Sequence, residues 1–96
     1  MELGVIIGMT GRNILAKDWH KYVAGYFVGV DFVNKALLAK ARADGSPWCL
    51  PKGGDGFAVV SDFIDKSEVK DANDLNLKFT VNGEVRQDAH TSDMIF

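Results

Sequence analysis

The aspartate at position 31 follows directly on an apolar run and is the side chain best placed for chemistry. The run Gly25–Val30, GYFVGV, is rich in aromatic and β-branched residues, which is typical of a central strand with both faces covered. A carboxylate at the end of such a strand is costly to bury unless it is paired or binds a metal ion. An aspartate that hydrogen-bonds backbone N–H groups in a turn or cap explains Asp31 equally well from its spacing.

A second candidate is the glycine-rich run Lys52–Phe57, KGGDGF. Its glycines let the backbone approach a ligand closely. No Gly-Lys-Ser/Thr sequence follows, so the run is not a phosphate-binding loop. Taken alone, Lys52 is a solvated loop lysine. His20 lies on the polar side of a predicted short amphipathic helix, Ala16–Val23, and is interpreted as a solvated histidine in preference to a catalytic base.

The clearest structural signal is a predicted β-hairpin. Residues Leu75–Val81 alternate apolar and polar side chains, so one face of this strand should be buried and the other exposed to solvent. Asn82 and Gly83 both tolerate the positive φ that a two-residue type I′ turn requires, and Glu84–Gln87 should return as the antiparallel partner. A hairpin buries too little surface to be stable alone, so the rest of the chain must pack on it.

Six further elements are predicted from hydrophobic pattern and from residues that begin or end helices and turns. Asn34 should cap a helix that Gly45 ends, and two prolines favour an extended or turn-like Ser46–Pro51. That helix should run from Lys35 to about Ala43. The other predictions are a buried strand within Met1–Met9, a short buried strand at Phe57–Val60, a helical turn near Ser67–Val69, and a loop from Asp88 onward.

Composition narrows the class of protein. The chain has 96 residues, of which 47% are hydrophobic and 25% charged, as expected for one small globular domain. A net charge of -2 favours neither nucleic acid nor an anionic membrane as a partner. No apolar run approaches the roughly 18–20 residues of a membrane helix, and no targeting segment is visible. The single cysteine, Cys49, has no partner for an internal disulfide.

Residues 81–96, VNGEVRQDAHTSDMIF, resemble the catalytic domain of the fumarylacetoacetate hydrolase family, in its acylpyruvase and oxaloacetate decarboxylase branch. The run Gly45–Trp48 resembles the same branch. The resemblance implies an α+β, β-rich fold, a partial mixed β-sandwich roll with short helices. It covers nearly all of this chain but only about half of a family domain. Residues 1–96 are therefore expected to form part of a fumarylacetoacetase-like C-terminal catalytic domain, with both ends inside it.

The resemblance also assigns roles to four residues. Glu2 matches the second glutamate of a His-x-Glu-x-Glu-Leu segment, whose first glutamate would precede Met1, and Asp31 matches a third metal ligand. Lys52 matches the lysine that meets the substrate's carboxylate or enolate oxygen, and Asp55 closes the same motif. Without the resemblance, Glu2 is interpreted as a charged side chain at the solvent-exposed end of a strand.

Some positions depart from the family pattern. The family's Asp-x-Ser/Thr-Ala-Arg-Asp signature reads here Asp31-Phe-Val-Asn-Lys-Ala, with Val33 for the hydroxyl residue and Ala36 for the last aspartate. Lys35 keeps the arginine's charge but loses its planar bidentate fork. Gly54 replaces a phenylalanine in the loop that follows Lys52.

The implied activity is that of a metal-dependent hydrolase or lyase, which cleaves C–C bonds of acylpyruvates, fumarylacetoacetate-type diketo acids or oxaloacetate. The implied cofactor is Mg²⁺, or Mn²⁺ or Ca²⁺, and the implied partners are a small 2-oxo or diketo acid and a second subunit in a homodimer. The resemblance is compatible with a cytoplasmic or mitochondrial matrix location. The alternative is a non-catalytic remnant of the family that serves as a structural or dimerisation module.

Overall fold

A computed structural model describes residues 1–95, and Phe96, the last residue of the TSDMIF motif, lies outside the described residues. The elements are strands β1 (Glu2–Ile7), β2 (Val23–Asp31), β3 (Ala58–Val60), β4 (Ile64–Asp65), β5 (Asn76–Val81) and β6 (Glu84–His90), helices α1 (Lys35–Asp44) and α2 (Cys49–Lys52), and 3₁₀ turns at Ala16–Lys21, Lys66–Glu68 and Thr91–Asp93. Two sheets and a few short helices confirm the α+β, β-rich fold class.

Strand β2 is the centre of a four-stranded sheet. Strand β1 pairs antiparallel along one edge of β2, whereas β3 and β4 pair antiparallel with successive parts of β2. Between these two short strands, Ser61 bonds to Val28 twice: its N–H donates to the Val28 carbonyl, and its hydroxyl accepts from the Val28 N–H, both at 2.9 Å. The predicted strand Gly25–Val30 is therefore confirmed as central, and it is longer at both ends than predicted.

The hairpin prediction is confirmed. Strands β5 and β6 are antiparallel with Val81 opposite Glu84, and Asn82 and Gly83 have φ values of 51° and 82°, as a type I′ turn requires. The return strand continues to His90 and a 3₁₀ turn follows, so the prediction of a loop from Asp88 onward is wrong at its start. Beyond a register shift between Phe79 and Thr80, the pairing continues regularly to Asn76 opposite His90.

The capped helix is also confirmed. The Asn34 side chain accepts a hydrogen bond from the Leu37 N–H at 3.1 Å, which satisfies one of the free donors of the first turn. Gly45 ends α1 in the left-handed conformation, and its N–H is directed at the Ala41 and Arg42 carbonyls.

The core is small for a chain of this length. Its buried residues are Val23, Tyr26 and Ala72, and partly buried Leu3, Ile64 and Val69 pack against them. Many large apolar side chains remain exposed. The Cα radius of gyration is 16.3 Å, whereas a compact domain of this length would have about 12.5 Å.

Three predictions of burial are wrong in whole or in part. The apolar face of β5 is only half-buried, and Val81 on that face is exposed. All three residues of β3 are exposed, because this strand pairs along only one edge and nothing in residues 1–95 covers its faces. Strand β1 is likewise only half-buried, with Val5 and Ile7 exposed. An apolar sequence predicts a strand but does not say whether the described part of the fold covers it.

Two local predictions are also wrong. The predicted amphipathic helix Ala16–Val23 is a 3₁₀ turn without a buried residue, and Val23 belongs to β2 instead. The run predicted to be extended contains the helical turn α2, which buries Pro51. Proline is disfavoured inside a long helix but is tolerated within the first turn, and α2 is no longer than one turn.

Candidate functional site: two carboxylates and a lysine at the end of the central strand

Asp31 and Lys52 are in direct contact. The Lys52 ammonium donates a hydrogen bond to Oδ2 of Asp31 and forms an ion pair with it. Their side chains are 47% and 35% exposed, so water screens the pair. An exposed pair of this kind contributes about 0–1 kcal/mol to stability. The contact therefore brings two predicted site residues together without making either of them essential to the fold.

Two backbone hydrogen bonds explain how a lysine twenty-one positions away reaches Asp31. The Phe32 N–H donates to the Phe57 carbonyl at 2.8 Å, and the Asn34 N–H donates to the Pro51 carbonyl at 2.9 Å. These bonds tie both ends of the glycine-rich run to the segment that leaves β2. Because α2 ends at Lys52, its side chain projects from a fixed helical turn beside the end of β2.

Glu2 lies on the same face of the sheet as Asp31. Glu2 is directly opposite Gly29 in the antiparallel ladder, and Asp31 is two residues beyond Gly29. Side chains two residues apart on one strand share a face, as do directly opposite residues, so the two carboxylates are diagonal neighbours. Both line one open hollow of about 250 Å³, together with residues of β2 and β3.

Phe27 also lines this hollow, and a glycine on β1 makes room for its ring. Phe27 lies across Gly4, and a Cβ added at Gly4 would stand 2.1 Å from the ring. Only glycine allows the ring to lie there. Sequence reasoning did not assign Phe27 to the site, although an aromatic residue on β2 with a glycine at its strand partner was the available signal.

Asp55 and His20 are not brought into this cluster. Asp55 is exposed on the turn after α2, and its side chain forms no hydrogen bond or ion pair within residues 1–95. His20 stands in the 3₁₀ turn before β2 with its ring edge-on to Trp19 at a centroid distance of 6.2 Å, and does not line the carboxylate hollow.

Carboxylate oxygens are the donors that Mg²⁺, Mn²⁺ and Ca²⁺ prefer, so Glu2 and Asp31 fit such an ion chemically. Within residues 1–95, no group of three or more His, Cys, Asp or Glu side chains is placed to hold a metal. Mg²⁺ commonly takes only one or two protein carboxylates and fills its other positions with water or substrate oxygens. The carboxylate pair, Glu2 and Asp31, thus fits two ligands of a hard-cation site.

A larger hollow lies elsewhere and has a different character. It measures about 500 Å³, lies on the opposite face of β1, and is lined mainly by apolar side chains such as Leu3, Trp19 and Met94. It contains no carboxylate, whereas the smaller hollow contains two. The chemistry of the donors therefore points to the smaller hollow as the candidate site.

Comparison with known proteins identifies the family. The family model of the fumarylacetoacetate hydrolase C-terminal domain matches residues 1–96, and this chain belongs to that family. The mitochondrial oxaloacetate decarboxylase of Dictyostelium discoideum is 38% identical over 96 residues. The mitochondrial oxaloacetate tautomerase FAHD1 of Arabidopsis thaliana is also 38% identical over 96 residues. These residues are the whole of this chain but 44% and 43% of the two relatives.

A solved structure adds a ligand-bound relative. The fumarylpyruvate hydrolase of Pseudomonas aeruginosa, in complex with Mn²⁺ and pyruvate, superimposes with a TM-score of 0.82 at 31% identity. The match covers 92% of this chain and 38% of that one. The branch predicted from the VNGEVRQDAHTSDMIF run is thus confirmed. None of the helices described here is long and apolar enough to cross a membrane.

Proposed function

We propose that this chain carries part of the active site of a metal-dependent enzyme that acts on small 2-oxo acids. The reaction is C–C bond cleavage of an acylpyruvate or related diketo acid, or decarboxylation of oxaloacetate. The observation that supports this most directly is the convergence of Glu2, Asp31 and Lys52 at one end of the sheet. The names of the similar proteins, and the Mn²⁺ and pyruvate in one of them, agree with this substrate class.

Glu2 and Asp31 are the proposed holders of Mg²⁺ or Mn²⁺, with Ca²⁺ as a further candidate of the same hard class. Such an ion polarises the 2-oxo carbonyl and stabilises the negative charge that develops when the C–C bond breaks. Lys52 is proposed to bind the carboxylate or enolate oxygen of the substrate. In the described state its ammonium neutralises Asp31, so loading the site requires the lysine to leave one anion and meet another.

Asp55 is proposed to act within the same loop. Its exposed carboxylate follows two consecutive glycines, Gly53 and Gly54, whose small size leaves the turn free to approach a bound substrate. A carboxylate here can orient Lys52 after the lysine has released Asp31.

We further propose that residues 1–96 form part of a catalytic domain that works as a homodimer. The described chain exposes 7556 Å², whereas a compact monomer of its mass would expose about 5,400 Å². This chain spans 44% and 43% of the two mitochondrial relatives, so the excess is surface that the rest of a family domain and a second subunit would share. Exposed apolar side chains such as Ile7, Val60 and Phe63 supply the contacts that such an interface needs. The proposed compartment is the mitochondrial matrix or the cytoplasm, and the names of the two mitochondrial relatives agree with the first of these.

One observation favours a second candidate, a non-catalytic structural module of the family. Asp31 is already paired with Lys52, and no third acidic, histidine or cysteine side chain joins the carboxylate pair within residues 1–95. In such a module the Asp31–Lys52 pair would hold α2 against the end of β2 and would bind no ion.

The two candidates separate in one assay. Oxaloacetate and acetylpyruvate are incubated with the purified chain in the presence of Mn²⁺ or Mg²⁺, and loss of substrate is followed spectrophotometrically. The enzyme proposal predicts metal-dependent turnover that Lys52→Met abolishes and His20→Ala, as a matched control outside the cluster, leaves unchanged. If the wild-type chain shows no turnover, or if Lys52→Met turns over substrate at the wild-type rate, the structural module is favoured.

A further inference from the structure

One side chain supplies the hydrogen bonds between the β5–β6 hairpin and the start of the four-stranded sheet. Within residues 1–95, the hydrogen bonds that connect the two sheets both come from Gln87. The remaining bonds near the hairpin are local: Leu75 pairs with Thr91, and His90 contacts Ser92 and Asp74. Gln87 is therefore the polar link between the hairpin and the sheet that carries the carboxylate pair.

Gln87 uses both ends of its amide. Its Oε1 accepts a hydrogen bond from the N-terminal ammonium of Met1 at 2.8 Å, and its Nε2 donates to the Met1 carbonyl at 3.1 Å. This pair of bonds, here called the Gln87 clasp, imitates the reciprocal pairing of two strand residues. The two partners fix the orientation of the amide, because reversing it would set donor against donor and acceptor against acceptor.

An irregularity in the hairpin explains why Gln87 points toward β1. Thr80 is opposite Val85, but Phe79 is opposite Gln87, so Arg86 is an extra residue in the return strand. Because directly opposite residues share a face, the shift places Gln87 on the half-buried face with Phe79, and Arg86 remains exposed. Without the extra residue, Arg86 would take that place.

The clasp adjoins one member of the carboxylate pair. Met1 precedes Glu2, which is the first residue of β1 in the ladder with β2. Glu2 lines two hollows: the one it shares with Asp31, and a second of about 340 Å³ that it shares with Gln87. The start of β1 is thus held by β2 along one edge and by Gln87 on its other side.

We propose that Gln87 is a positioning residue for Glu2 and sets the affinity of the carboxylate pair for a hard divalent cation. This inference rests on the proposed function. A strand end that is bonded to only one neighbour frays, and a carboxylate on a frayed end must lose that freedom when it binds an ion. The Gln87 clasp restricts the conformational freedom of the strand end before the ion binds. Outer-shell groups that hydrogen-bond a metal ligand directly typically contribute 10–100-fold to metal affinity. Gln87 acts one residue away, through Met1, so its contribution should lie at the low end of that range.

The test measures Mn²⁺ affinity by calorimetry for the wild-type chain and for Gln87→Ala, with Asn76→Ala as the matched control. Asn76 lies on the same hairpin and forms no side-chain hydrogen bond within residues 1–95, so its replacement removes an amide but no clasp. Gln87→Ala should weaken Mn²⁺ binding about tenfold, at the low end of the outer-shell range. Asn76→Ala should leave the affinity at its wild-type value.

A double-mutant cycle separates positioning from a general loss of stability. In a Glu2→Gln background the same Gln87→Ala change should have no further effect on Mn²⁺ affinity, because the ligand that it positions is already gone. An equal loss in both backgrounds, or a loss that Asn76→Ala shares, would overturn the positioning role. If the wild-type chain itself binds no Mn²⁺, the proposed metal site fails first, and the role of Gln87 fails with it.

Discussion

Replacing Gly83 by valine should destabilise the hairpin through the backbone alone. Gly83 has a φ of 82°, and no atom outside its immediate neighbours lies within 4 Å of a Cβ built there. The valine side chain therefore meets no clash, and its cost is that of holding a β-branched L-residue in the left-handed region. That cost is about 1–2 kcal/mol, with valine at the upper end.

The magnitude translates into a measurable shift in melting temperature. For a domain of this size, 1 kcal/mol corresponds to roughly 4–8 °C. Far-ultraviolet circular dichroism gives the melting temperature of Gly83→Val against the wild type. Gly83→Asn is the matched control, since asparagine tolerates positive φ and should lose less than half as much stability.

A local measurement is needed as well, because the hairpin is tied to the other sheet by few bonds. If the hairpin opens on its own, the loss will be seen in amide hydrogen exchange of Asn76–Val81 before it is seen in the global melt. Wild-type melting together with wild-type exchange in Gly83→Val would refute the type I′ turn as a source of stability.

Three further results are expected. The chain should self-associate at micromolar concentration, since it exposes many large apolar side chains; a monodisperse monomer in sedimentation velocity would contradict this. Lys52→Met should raise Mn²⁺ affinity up to about fivefold, because an exposed ion pair that competes for Asp31 is worth at most about 1 kcal/mol; calorimetry that shows weaker binding would contradict the competition. The Ser67 backbone N–H, the Ser67 hydroxyl and the nearby Lys66 charge hold the pKa of Asp65 below its ordinary value of 3.8. The stability that this lowered pKa contributes is present above about pH 3.8 and is lost as the pH falls further. Asp65→Asn should therefore reduce the loss of unfolding free energy at acid pH, measured by urea unfolding, and an unchanged loss would argue against the Ser67 hydrogen bonds as its source.

The elements predicted well are those that local chemistry decides. Asn82-Gly83 sets the turn, Asn34 and Gly45 set the ends of α1, and each needs only its near neighbours in sequence. The elements predicted poorly depend on distant partners. The strand Ile64–Asp65 was not expected, because its two residues become a strand only by pairing with Gly25 and Tyr26.

The candidate site shows the same division. The position of Asp31 after an apolar strand marked it as a candidate, whereas its contact with Lys52 depends on backbone bonds that no local pattern predicts. Gln87 was missed because its role depends on an extra residue, Arg86, which changes the face on which Gln87 lies. Period-two alternation predicts the face on which a side chain lies only while the pairing of the two strands remains regular.

The central claim is that Glu2 and Asp31 together bind a divalent cation, and Mn²⁺ calorimetry on Asp31→Asn tests it most directly. Asparagine keeps the shape and one oxygen of the side chain but removes the charge, so one of two anionic ligands is lost and the fold keeps its packing. Binding should be detectable for the wild type, unchanged for His20→Ala, and weakened at least tenfold or abolished for Asp31→Asn, a difference of about 1.4 kcal/mol or more. Equal Mn²⁺ affinity for the wild type and Asp31→Asn would show that Asp31 is not a ligand.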